Sequence, residues 1–177
     1  MRIAIISDIH NNEVNLKKVL NYCKNNKIET IICCGDLASK ATLDLLNDNF
    51  SGTVHYTFGN MDKGQIRDFA LGEKYKNTTI YKNYGEIEIK NNHVKPTGHA
   101  TRRIAFAHYP KIAKELCETG NYHFVFYGHT HKPWTEKIGN CIMLNPGNVA
   151  GEIFPPTFAV WDTGNDKFAL IRIHSLK

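Results

Sequence analysis

The chain has 177 residues, 42% of them hydrophobic and 22% charged, with a formal net charge of +5. That length and usage fit one globular domain over residues 1–177. Mean hydropathy is −0.38, and no apolar stretch approaches the roughly 18 residues a membrane helix needs, which excludes a helical span.

The N-terminal MRIAIISDIH turns polar at Ser7 and Asp8, too early for a signal-peptide core, so the expected compartment is the cytoplasm. RIAIIS (2–7) opens a series of short apolar runs that read as buried strands, followed by TIICCG (30–35), TVHYTFG (53–59), RIAFAH (103–108) and HFVFYG (123–128). Between the first two, Leu16, Val19, Leu20 and Cys23 repeat at helical spacing, with Asn12 as the N-cap. SKATLDLLND (39–48) and PKIAKELCETG (110–120) read as further helices, the latter with Pro110 in its first turn and Gly120 at its end. A β-α-β-α-β order predicts a parallel sheet with right-handed crossovers. The later chain changes character. PWTEKIGNCIMLNPG is a predicted hairpin turning at Gly139 and Asn140, and TFAVWDTGNDKFALIRIH another turning at Gly164, Asn165 and Asp166, so this part is expected to be mostly antiparallel.

Five cysteines, an odd number without CxxC spacing, fit a reducing compartment, and Cys33 and Cys34 read as buried, inert thiols. The basic residues are spread along the chain, with one denser stretch, KNNHVKPTGHATRR, from Lys90 to Arg103. This stretch is a candidate flap near a substrate entrance. It has no interleaved aromatics or recognised RNA motif, so a nucleic-acid partner is the weakest reading.

The apolar runs share a way of ending. They deliver Asp8 and His10, then Asp36, then Asn60 and Asp62, then His108, then His129 and His131. In open α/β sheets the carboxyl ends of strands are where ligands bind, so these side chains are expected to converge. Singly, each is an ordinary turn residue or helix cap. Together they form a mixed oxygen and nitrogen donor set that suits Mn, Fe, Zn, Co or Ni better than Mg or Ca. Seven donors (Asp8, His10, Asp36, Asn60, His108, His129, His131) exceed one tetrahedral ion and fit a bridged pair.

DIHNN, GDL, GNMD, AHYP and GHTH resemble, in order, the motif blocks of the calcineurin-like metallophosphoesterases, and NPGN (145–148) resembles the N-P-G-S segment of the family's small bacterial and archaeal phosphodiesterases. The resemblance implies an α/β fold of two packed mixed β-sheets, a β-sandwich flanked by helices. It implies that Asp8, His10 and His131 hold one divalent ion, that Asn60, His108 and His129 hold a second, and that Asp36 bridges them with a water or hydroxide. The implied activity is metal-dependent phosphodiester hydrolysis by that hydroxide. Mn2+ is the favoured ion, with Zn2+, Fe2+, Ni2+ or Co2+ as others, and the substrate is a small phosphodiester, nucleotide-derived among the options. Asn60 and Asn12 are implied to face the substrate. Tyr109, where the family usually has Gly, is a candidate for crowding the pocket, stacking on a substrate ring, or only packing. Many larger members read G-N-H-[DE] and use that histidine to protonate the leaving group. Here Met61 stands there, so no side-chain general acid is assigned. Alternative readings are a phosphomonoesterase and a non-catalytic protein-binding scaffold like the retromer subunit of the same fold.

Overall fold

The computed structural model describes residues 1–64, 66–67, 75–90 and 101–176. Strand β1 (Arg2–Ile6) leads into helix α1 (Glu13–Asn25), then β2 (Thr30–Cys33), α2 (Lys40–Asn49) and β3 (Thr53–Thr57). The expected N-cap holds: the Asn12 side chain accepts from Asn15 N, and Ser39 does the same for Thr42 at α2. Then come β4 (Thr78–Tyr81), β5 (Tyr84–Lys90), β6 (Thr101–Ala107), helix α3 (Pro110–Glu118), β7 (Phe124–Phe126), β8 (Trp134–Ile138), β9 (Cys141–Asn145), β10 (Thr157–Asp162) and β11 (Lys167–Arg172). The first sheet has the order β11-β10-β1-β2-β3-β4 and the second β5-β6-β7-β9-β8. Strands β1 to β4 run parallel, with β10 and β11 added antiparallel beside β1. Both predicted hairpins form, as β8–β9 and β10–β11. The late chain is nevertheless not wholly antiparallel, because β9 pairs parallel with β7.

Alternation explains the continuous apolar runs. In β1, Ala4 and Ile6 pack toward α1 and α2, while Ile3 and Ile5 pack toward the second sheet. In β2, Ile31 and Cys33 face the helices, and Ile32 faces the second sheet together with Cys34 just past the strand. Ile104 and Phe106 of β6 and Phe124 and Phe126 of β7 meet them, with Trp161 of β10 in the same layer. The outer face of the second sheet is covered by α3 through Ala113 and Cys117. Strands β4 and β5 have no counterpart in the sequence reading. In YGEIEIK the apolar positions alternate with glutamates, so β5 buries one face only and presents no apolar run.

Cys117 and Cys141 are joined as a disulfide between α3 and β9, a pairing the sequence reading did not include. Cys23, Cys33 and Cys34 are free and buried, as read for the last two. Burial pushes the Cys23 thiol up to about 12. No helix among the described residues is long and apolar enough to cross a membrane.

Candidate metal centre

The loops that follow the parallel strands are bent in an unusual way. Asp8, His10, Asp36, His129 and His131 all have positive φ, between 46° and 69°. Left-handed backbone at a non-glycine residue costs about 1–3 kcal/mol and persists where its surroundings over-determine it. Here the loops hold one another. Asp8 N donates to Gly35 O, and Ile9 N and His10 N both donate to Asp36 O. His129 N donates to the Asp8 carboxylate across 121 positions of sequence. Val149 N and Ala150 N donate to the carbonyls of Ser7 and Asp8. Gly35 has φ +105°, and a Cβ there would lie 2.6 Å from His108 Nδ1, so its place beside the site requires glycine.

The seven predicted donors gather into two groups that share one oxygen. In the first, His131 Nε2 lies 3.4 Å and His10 Nε2 3.8 Å from Asp8 Oδ1. In the second, His108 Nε2 and His129 Nδ1 each lie 2.8 Å from Asn60 Oδ1 and 3.3 Å from one another. Asp36 Oδ2 stands between, 3.6 Å from His10 Nε2 and 3.4 Å from His108 Nε2. Donors bound about 2.1 Å from one ion sit roughly 3 Å apart, so these spacings suit cations. His10 Nε2 adds a separate indication. It is buried without a hydrogen-bond partner while aimed at two carboxylates. A lone nitrogen in that setting fits a divalent ion of borderline softness.

Surrounding residues hold these atoms in place. Asp62 is fully buried, and its carboxylate accepts from Asp36 N at 2.7 Å, Ala38 N at 2.8 Å and Gly59 N at 2.7 Å. It clamps the loop after β2 to the loop after β3. Asp36 Oδ1 accepts from Met61 N at 2.7 Å, which leaves Oδ2 for the shared position. His108 Nδ1 donates to Cys34 O at 2.8 Å, which turns Nε2 inward toward Asn60 and Asp36. The NPGN segment braces GHTH: Asn145 Nδ2 donates to Gly128 O and Thr130 Oγ1, and Asn148 Nδ2 donates to His131 O. These tasks of Asp62, Asn145 and Asn148 were missed in the sequence, where only the resemblance of NPGN to a family segment marked the last two.

The remaining candidates fall in two places. Tyr109 is at the rim, its ring centroid 5.1 Å from those of both His108 and His129. Asn12 is engaged elsewhere, its oxygen capping α1 and its NH2 donating to Ala150 O. His55 pairs with the Tyr81 hydroxyl, and His123 accepts from Arg103 N, away from the seven donors. Of the basic stretch, Arg102 and Arg103 lie within β6, at the opposite end from His108, bound to Asp166 and Glu88. Residues 91–100 lie outside the described residues.

The charges differ between the two groups. Burial alone would raise the Asp8 carboxyl, but His10, His131 and His108 carry the net shift well below the ordinary carboxylate range. The Asp8 carboxylate in turn raises His10 and His131 above 6.5. His129 is lowered by burial and by neighbouring His108. Asp36 is raised by burial, partly offset by His108.

Residues 1–166 match the family model of the calcineurin-like phosphoesterase superfamily domain. A curated relative, the phosphodiesterase MJ0936 of Methanocaldococcus jannaschii, is 26% identical over 170 residues, 95% of this chain and 96% of that protein. Among solved structures, an archaeal phosphodiesterase superposes with a TM-score of 0.81 at 24% identity, covering 97% of this chain and 99% of the other. Vps29 of Entamoeba histolytica, solved with zinc, gives 0.64 at 20% identity, covering 98% and 99%. At those identities the two structures speak for the fold, and it is the sequence match, running through every loop that supplies a converging donor, that assigns the chain to the calcineurin-like phosphoesterase superfamily.

Proposed function

We propose that this chain is a metal-dependent phosphodiesterase with two divalent cations. Asp8, His10 and His131 serve one, Asn60, His108 and His129 the other, and Asp36 both. The observation that carries this reading is the position of Asp36 Oδ2, within 3.6 Å of a histidine nitrogen in each group. The donor set favours Mn2+, with Zn2+, Fe2+, Ni2+ and Co2+ also matching mixed nitrogen and oxygen ligation. When bound, such ions lower the pKa of a water and neutralise charge on phosphoryl oxygens. Asn60 turns its carbonyl oxygen toward His108 and His129 and keeps its NH2 for a phosphoryl oxygen. Tyr109, 38% exposed at the rim, offers a ring face to a base or aryl group on the diester. Met61 is exposed and cannot give a proton, so the leaving group departs without side-chain protonation from that position. The choice of a diester draws support from the relative named phosphodiesterase.

The test combines metal analysis with turnover of an aryl phosphodiester by protein stripped of metal and reloaded with each ion. Wild type should take up two ions. Asp36→Ala should remain folded by circular dichroism, lose one or both ions, and lose about 10³-fold or more in turnover, since two-ion clamping and water activation fail together. Wild-type turnover in Asp36→Ala, or no turnover with any ion in wild type, would overturn the assignment.

A further inference from the structure

A histidine that ligates a metal through one ring nitrogen needs the other held, because that second contact fixes both tautomer and ring orientation. For His108 the holder is the Cys34 carbonyl. For the two histidines of the first group the holder is a single residue that the motif blocks do not include. Glu152 Oε2 lies 3.7 Å from His10 Nδ1. The Glu152 main-chain oxygen accepts from His131 Nδ1 at 3.3 Å. Both rings therefore turn Nε2 toward Asp8, and their centroids stand 5.0 Å apart at an interplanar angle of 64°.

Glu152 is itself held by Asn148. The Asn148 side chain is buried, its oxygen accepting from Gly151 N and Glu152 N, its NH2 donating to His131 O and Phe154 O. A serine, as in the N-P-G-S segment that NPGN resembles, has one donor hydrogen and could not make both donations. The amide ties the loop that carries Glu152 directly to the histidine it supports.

We propose that Glu152, set by Asn148, is a positioning residue for the Asp8–His10–His131 pole, aligning both of its histidines through side chain and main chain at once. This rests on the two-cation reading above. The experiment titrates Mn2+ into metal-free wild type, Glu152→Ala, Glu152→Gln and Asn148→Ser, reading each ion's affinity together with the paramagnetic resonance of the pair. Losing such an outer contact typically weakens metal binding about 10–100-fold. Glu152→Ala should show that loss for one ion only, with a mononuclear signal where wild type shows a coupled pair. Glu152→Gln should recover most of it, because an amide oxygen in the same place faces His10 Nδ1 as the carboxylate does, at 3.7 Å. Asn148→Ser should lose at least as much as Glu152→Ala, because it also loosens the main-chain contact to His131. The metal-free melting temperature of Glu152→Ala should equal that of wild type, since the Glu152 side chain is 56% exposed. Wild-type affinity at both ions in Glu152→Ala would overturn the proposal. So would a Gln variant as weak as Ala, which would assign the effect to charge alone. A wild type that takes fewer than two ions would overturn the two-cation reading first, and is told apart by needing no variant.

Discussion

By the resemblance of GNMD to the G-N-H-[DE] block, Met61 stands where many larger members of the family carry the histidine that protonates the leaving group, and a thioether cannot do so. General acid catalysis contributes about 10²–10⁴-fold, and it matters most for an alkoxide and least for an aryl oxide. Wild type should therefore cleave aryl diesters well and alkyl esters poorly. Met61→His should raise the alkyl rate and leave the aryl rate nearly unchanged, as measured on both substrates at equal metal loading. The gain should stay near the lower end of that range. Asp62 is not free to orient the new imidazole, because three backbone N–H groups already occupy its carboxylate. Equal gains on both substrates would mean that another residue supplies the proton. The same aspartate marks the limit of sequence reading at this scale. The seven donors were legible because each stands just past an apolar run, a local signal. The task of Asp62 depends on N–H groups at Asp36, Ala38 and Gly59, brought to it by neighbouring strands, and no local spacing announces them.

At the scale of elements, strands that form apolar runs or flank a Gly/Asn turn were legible, and β4 and β5, which do neither, were not. β1, β2, β3, β6 and β7 each stood out as an apolar run, whereas β5 hides its inward Ile87 and Ile89 between glutamates and Lys90. The cysteine pairing was hidden for a related reason. Cys117 and Cys141 are 24 positions apart, and only the packing of α3 on the second sheet brings their Cα atoms to 5.5 Å. Closing a loop of that size stabilises by about 3 kcal/mol in the chain-entropy account. Replacing both cysteines by serine should lower the unfolding free energy by about 2–4 kcal/mol in denaturant titration and leave ion stoichiometry unchanged. Thiol counting supplies an independent check. Three thiols should react in unfolded protein without reductant and five with it. Five in both conditions would remove the bridge from the account.

For the whole molecule, the charges of the first group set a pH dependence whose direction reverses with loading. His10 and His131 are raised, so in metal-free protein their pairing with Asp8 stabilises fully below about 6.5 and is lost as pH climbs through the raised values. Asp8 is depressed, so its contribution is present above about 3.9 and lost as pH falls toward the lowered value. Ion binding instead requires both histidines to lose their protons. Calorimetry with and without Mn2+ should show the gap in melting temperature widening from pH 6 to pH 8, and a narrowing gap would contradict the assignment of these histidines. The division of donors between sheets has a mechanical consequence. Asp8, His10, Asp36 and Asn60 follow strands of one sheet, and His108, His129 and His131 follow strands of the other. Each proposed ion therefore spans the two sheets, like an object held between the jaws of a caliper whose opening is set by the layer around Trp161, Phe124 and Phe126. Trp161→Leu changes that opening from a strand bearing none of the seven donors, while Leu46→Ala loosens only the helix side. Compared at equal loss of melting temperature, the first should weaken Mn2+ binding and the second should not.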